Sequence, residues 1–257
     1  DITLIAATKE GRTIDGVSLN YICGKYSCDI GETGFNEFDL SDPNAKLTKK
    51  LPKCSNAVLT GRKDNFMDGE SNIIVDNRDR IYQVELKPLK KYPNNAIGST
   101  FKVVNHNIVR PSFNAKLTRD NFETFDVSID ADDVSGDDRA LIMIRDYNSE
   151  FESNVVYPLE VEDTVSLLEE STKYDVEIYL MKEEKPVGAF RSNLSTVRGE
   201  VESADEIVFH TIGFEPLSTL SDEEQDEEFV IYLDNVEYYS EILSEKLNLI
   251  LPDLRRR

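Results

Sequence analysis

Three cysteines, one dense run of aspartates and two histidines are the side chains here whose types and spacing could do chemistry. Cys23, Cys28 and Cys54 form a C-x4-C pair followed by a distant third, without the C-x-x-C pair or the fourth ligand that a structural zinc site needs. In an oxidising compartment one disulfide is expected. Cys28–Cys54 would join two turn regions and leave Cys23 inside as a small apolar side chain. Cys23–Cys28 across the intervening turn is the alternative, and three reduced cysteines with packing roles is the third reading. A closed Cys28–Cys54 loop would stabilise by about 2–4 kcal/mol.

The aspartates Asp130, Asp132, Asp133, Asp137 and Asp138 surround Gly136. Closely spaced carboxylates at a glycine turn can supply several of the oxygens that a structural Ca²⁺ takes. The run lacks the D-x-D-x-D-G order and closing Glu of an EF-hand, so a solvated acidic hairpin loop is the competing reading, and no cofactor is required. His106 and His210 each sit in strand-like surroundings and read as structural residues. No Ser-His-Asp order, dinucleotide fingerprint or phosphate loop stands out. Carboxylate pairs arise by chance among 50 acidic residues, and Trp is absent, which weakens sugar binding. The expectation is a protein that is not an enzyme. Asn193-Leu194-Ser195 is the sequon, so Asn193 is the candidate glycosylation site after export.

The elements that must position these groups read mostly as strands. Ile2 to Thr8 is rich in β-branched residues; Val17, Leu19, Tyr21 and Cys23 alternate on one face, which aims Cys23 at the core. Gly24 to Ser27 reads as a turn leading back through Cys28 to Ile30. Phe35–Leu40 and Asn56–Arg62 follow, and Asn72–Asp76 reads as paired with Arg80–Leu86 across a four-residue turn. Strands every ten residues or so favour an antiparallel sandwich. Further on, Thr100–Val104, Phe122–Ile129, Arg139–Arg145, Asn154–Val161, Tyr174–Met181 and Glu206–Ile212 have strand composition. Tyr174–Met181 with Val187–Phe190 makes the clearest hairpin, read as part of a larger Ig-like sandwich. Ser221 and Glu224 match a capping box. The spacing of Phe229, Tyr232, Val236, Leu243 and Leu247 then predicts one helix over about Asp222 to Leu247. A strand at Glu228–Leu233 followed by a helix from Asn235 fits nearly as well.

Charge divides the chain. Residues 1–92 carry 14 acidic and 14 basic side chains, whereas residues 93–257 carry 36 acidic and 15 basic, which accounts for the net −21. The step falls at Lys90-Lys91-Tyr92-Pro93-Asn94-Asn95, where Pro and two Asn read as a turn or linker, so two domains, 1–92 and 93–257, are expected. An acidic surface of this size argues against nucleic-acid binding, and no apolar run approaches the length of about 18 residues needed for a transmembrane segment. The start at Asp1, without Met or a leader, reads as a matured secreted protein or a piece of a larger one.

The order GRTIDGVSLNY, IGET, LPKC and NAVLTGRKDNF resembles the carboxypeptidase regulatory-like, transthyretin-like β-sandwich family. Cys54 stands where that family usually has Gly, and Asn65-Phe66 where Gly-Tyr is common. The three-cysteine variant is similar to modules of archaeal cell-surface proteins. The resemblance covers about a third of the chain. It implies a transthyretin-like sandwich for residues 1–92; with the larger Ig-like sandwich and C-terminal helix read from the strand and helix patterns, the fold class expected is all-β. The function expected from this is a non-catalytic extracellular or cell-surface structural or adhesion module, with protein partners or self-assembly into a filament or coat. The alternative is a protein- or ligand-binding accessory region of a larger secreted enzyme or receptor.

Overall fold

The computed structural model describes residues 1–35, 44–93, 100–109, 126–134, 138–158, 164–214 and 221–256. The chain divides into two compact units, Asp1–Lys90 and Lys91–Arg257.

The first unit is built from β1 (Ile2–Ala7), β2 (Ser18–Cys23), β3 (Tyr26–Glu32), β4 (Lys46–Lys49), β5 (Cys54–Arg62), β6 (Phe66–Met67), β7 (Gly69–Val75) and β8 (Arg80–Glu85). β9 (Lys87–Pro93) runs across the division between the units. One sheet has the order β4-β1-β8 and the other β3-β2-β5-β7. Alternation along the strands gives each sheet one apolar face. Ile2, Leu4 and Ala6 of β1 and Val84 of β8 therefore share a single core with Leu19 and Tyr21 of β2, Leu59 of β5 and Ile73 of β7. Thr33, from the IGET segment, is buried and clips the entry turn, accepting from the Val17 amide at 3.0 Å and donating to the Ile14 carbonyl at 2.8 Å.

The expected hairpin between Asn72–Asp76 and Arg80–Leu86 does not form. β7 pairs antiparallel with β5, while β8 pairs in parallel with β1 in the other sheet. The link between them is closed by Asp76, which accepts from Arg78 N at 2.9 Å and pairs with Arg80 at 2.8 Å. Two strands joined by a short turn meet the same alternation whether they pair or step across a core, so local pattern cannot separate these outcomes. The crossing is close: a Cβ on Gly69 would lie 2.1 Å from the Glu85 carbonyl oxygen. Most of the expected strand at Phe35–Leu40 lies outside the described residues.

The second unit contains β10 (Thr100–Val109), β11 (Asp126–Asp133), β12 (Arg139–Asp146), β13 (Glu152–Tyr157), β14 (Thr164–Leu168), β15 (Thr172–Lys182), β16 (Lys185–Thr196), α1 (Glu200–Ser203), β17 (Glu206–Gly213), α2 (Asp222–Asp234), α3 (Val236–Leu247) and β18 (Asp253–Arg255). Of the strands expected to form an Ig-like sandwich, seven join one mixed sheet in the order β11-β10-β17-β16-β15-β12-β13, with β18 added beside β17, and β14 lies outside that sheet. The β15–β16 hairpin forms as its alternation predicts. β17 lies parallel to β10 along its whole length, a pairing between distant segments that no local signal announces.

The other edge of β17 is shared out. β16 pairs with it at Gly213 and Ile212, and β18 pairs with it at Glu206 to Val208. A helical pair fills the wedge where β16 leaves. The Tyr232 hydroxyl accepts from Ala189 N at 2.8 Å and lies 2.6 Å from the Ile212 carbonyl, while Ser240 Oγ accepts from Arg191 N at 3.1 Å. Backbone groups freed by the diverging strands are thus satisfied by two helix side chains. Gly188 permits the narrow contact, since a Cβ there would lie 2.5 Å from the Ile212 carbonyl oxygen.

The capping box at Ser221 and Glu224 is present, with Ser221 N donating to Glu224 Oε2 at 3.0 Å. The single long helix is not. α2 ends at Asp234 and α3 starts at Val236, because Asn235 leaves helical geometry and its side-chain amide donates back to the Ile231 carbonyl at 2.8 Å. Glu228–Leu233, the alternative strand, is helical.

Candidate functional site

The cysteine pairing differs from both expected pairings. Cys23 is bonded to Cys54, with their Cα atoms 6.2 Å apart, and Cys28 is free and exposed. Sheet order supplies the reason. β2 lies between β3 and β5, so Cys28 on β3 faces Tyr21 across the hairpin and is one strand further from Cys54. Cys23 ends β2 opposite Ala57 of the adjacent β5, and Cys54 begins that same strand, with a shift in its register against β7 between Cys54 and Ala57. Both bonded cysteines pack partly buried against the core, so the inward aim of Cys23 is observed but its role as an unbonded apolar side chain is not.

Asp130, Asp132 and Asp133 belong to β11, and Asp138 precedes β12; Asp137 lies outside the described residues. Asp132 and Asp133 are exposed and, being consecutive in a strand, point to opposite faces. Among the described residues no group of three or more His, Cys, Asp or Glu is arranged to hold a metal ion. Asn193 is exposed on β16, and its side-chain oxygen accepts from the Tyr147 hydroxyl at 2.9 Å. No helix among the described residues is long and apolar enough to cross a membrane.

The surface best suited to contact is the outer face of β13, β12, β15 and β16. The inward positions Ile142, Ile144, Val176, Ile178 and Phe190 are buried, which turns their neighbours outward. Cross-strand register sorts these neighbours into rows. One row holds Val156, Leu141 and Tyr179; the next holds Asn154, Met143, Glu177 and Arg191; a third holds Glu152, Arg145, Asp175 and Asn193. Arg191 pairs with Glu177 at 2.8 Å and Arg145 with Glu152 at 3.1 Å. The Asn154 amide and then the Arg145 guanidinium hold the Glu152 carboxyl below the usual carboxylate range, and partial burial raises the Tyr179 hydroxyl. Such fixed ion pairs can orient and select a partner. They make poor general acids, which need a carboxyl held protonated near neutral pH. At the apolar end, Leu141, Val156, Pro158 and Met181 floor an open groove of about 610 Å³ rimmed by Arg139 and Glu183.

The two histidines, which singly read as structural, meet. His106 of β10 and His210 of β17 are both buried, with His106 Nε2 2.9 Å from His210 Nδ1 and their rings stacked at 5.2 Å. Burial, reinforced by His106, lowers the His210 pKa to about 4. Only the parallel β10–β17 pairing brings them together, across 104 residues of sequence.

No protein-family model and no curated protein matches the chain. Among solved structures, it is similar to a streptococcal ancillary pilin, with 11% identity and TM-score 0.29 over 82% of this chain; it spans 61% of the pilin's length. A Bacteroides uniformis protein described as a carbohydrate-binding candidate gives 11% identity and TM-score 0.24, covering 77% of this chain and 94% of its own. A Bacteroides ovatus protein of the DUF3823 family gives 8% identity and TM-score 0.23, covering 83% and 99%.

Proposed function

We propose that the chain is a non-catalytic structural or adhesion module of the cell surface or extracellular space, engaged through protein contacts or self-assembly in a filament or coat. The observation that carries this reading is the uncovered outer face of the second unit. Val156 is 47% exposed there, beside half-buried Leu141 and Tyr179 and the Arg–Glu pairs that fix the polar rows. An apolar strip bordered by oriented charges is the composition of a protein contact surface. The Cys23–Cys54 disulfide supports an oxidising location. For the first unit, the finer reading as a transthyretin-like sandwich is supported by the turn motifs and by two sheets sharing one core. A structural Ca²⁺ at Asp130–Asp138 rests on sequence alone. Its test is a rise in melting temperature at millimolar Ca²⁺ that Asp132→Asn with Asp133→Asn removes.

The groove beside Arg139 favours a second reading, a ligand-binding accessory region of a larger secreted enzyme or receptor. A peptidase or transporter domain in the full-length gene would support it. The test of the first reading is electron microscopy of native material together with the Val156→Asp variant. Assemblies that the variant abolishes, without a change in its circular dichroism, are expected. Isolated soluble monomers in the native source would sink the proposal.

A further inference from the structure

His106 and His210 are the only histidines in the chain, and they meet on β10 and β17, the second and third strands from one edge of the second unit's sheet. In the parallel register Val104 faces His210 and His106 faces Ile212, so the two rings lie on the same face of adjacent strands, offset by two residues. One hydrogen bond between two imidazoles uses one N–H and one lone pair. With both rings neutral, this is satisfied at 2.9 Å.

At His210 an added proton finds no favourable place. His210 is 4% exposed, and its Nε2 is buried without a hydrogen-bond partner among the described residues. A first extra proton therefore places a charge in a desolvated site. A second removes the last lone pair and sets N–H against N–H across the contact. The charged groups acting on His210 give little compensation. Asp253 of β18 favours its charged form, whereas Arg255 of β18 and Lys102 of β10 oppose it, and Asp253 is already paired with Arg255. Asp133 of β11 lies in the same cross-strand row as His210, beyond Val104, and is exposed, while Glu206 of β17 lies four residues before His210, opposite Thr100. From the helices, Glu228 is buried in α2, and Lys246 of α3 is directed to the Val127 carbonyl.

We infer that the His106–His210 contact is an acid-sensitive latch on the β10–β17 seam: it closes the second unit's sheet while both rings are neutral and opens it when acid protonates them. The first unit contains no histidine and is unaffected. The sign follows from the direction of the shift. A base whose folded pKa is depressed binds more protons unfolded, so stability is present above about pH 6.5 and is lost as pH falls toward 4. For a site at about 4 folded and about 6.5 unfolded, linkage gives an opening constant about 20-fold larger at pH 5 than at pH 7.

The experiment is hydrogen exchange on the full chain at pH 7 and pH 5, corrected for intrinsic rates, with imidazole NMR across the same range. Protection of β10 and β17 amides is expected to fall about 20-fold relative to β2 and β5 amides. The double variant His106→Gln with His210→Gln removes that difference. If the variant does not fold, the wild-type rings decide. Both staying neutral below pH 5.5 while the seam is protected supports the latch. Both titrating near the free histidine value with the seam intact overturns it, as does an equal loss of protection in the two units.

Discussion

The two units solve the same problem, closing strands around a core, by different means. The first has balanced charge, two small sheets sharing one core, and a disulfide fixing the ends of β2 and β5. The second carries nearly all of the excess acid and one wide sheet whose strands diverge at Gly188. There the opening is filled by the hydroxyls of Tyr232 and Ser240, and a buried histidine pair bridges the parallel seam. A covalent staple is indifferent to pH in the acid range, whereas a contact built from imidazoles is not. The contrast places rigidity in the first unit and environmental sensitivity in the second.

That contrast can be broken most severely at the backbone crossings. Gly69→Ala puts a methyl against the Glu85 carbonyl and is expected to cost about 3 kcal/mol or more in the first unit, while Gly188→Ala does the same at Ile212 in the second. Hydrogen exchange resolved by unit is the measurement. A single shared loss from either variant would mean that the units do not respond separately.

Next in size is the disulfide. Cys23→Ser with Cys54→Ser should lower first-unit stability by about 2–4 kcal/mol in urea unfolding, and Cys28→Ser should leave it unchanged. Peptide mapping of non-reduced protein gives the same distinction directly, by showing a Cys23–Cys54 peptide and a free Cys28 thiol.

Tyr232→Phe keeps the ring in place and removes only the wedge hydroxyl, for an expected loss of about 1–3 kcal/mol confined to the second unit. Burial pushes that hydroxyl well above its usual pKa, so ultraviolet titration should find it un-ionised after the exposed tyrosines have titrated. The smallest effect is expected at the outer face. Arg191→Ala or Arg145→Ala removes a partly exposed ion pair and should change stability by less than about 1 kcal/mol. A larger loss in equilibrium unfolding would make those pairs structural rather than part of a contact surface.

Much of the local structure was legible. Alternation at Val17, Leu19 and Tyr21 named the buried face of β2, and the β15–β16 hairpin followed from its apolar period and polar turn. Ser221 and Glu224 marked a helix start to the residue. The break at Asn235 was hidden because Tyr232, Val236 and Leu243 keep helical spacing on both sides of it. The candidate contact face was half-legible: the alternation along Tyr174–Met181 sets Asp175, Glu177 and Tyr179 on the face opposite Val176 and Ile178, but their partners Arg145, Met143 and Leu141 come from a strand that only register identifies.

By itself the sequence determined strand-rich architecture, the partition of charge at about residue 92 and the facing of most strands, because burial period and charge are written locally. The tertiary structure decided which cysteines bond, that β7 and β8 step into different sheets, and that His106 meets His210. Each of those depends on which strand lies beside which. An alternating pattern states the face that must be buried but leaves the neighbour open, and in this protein the neighbour selects the chemistry.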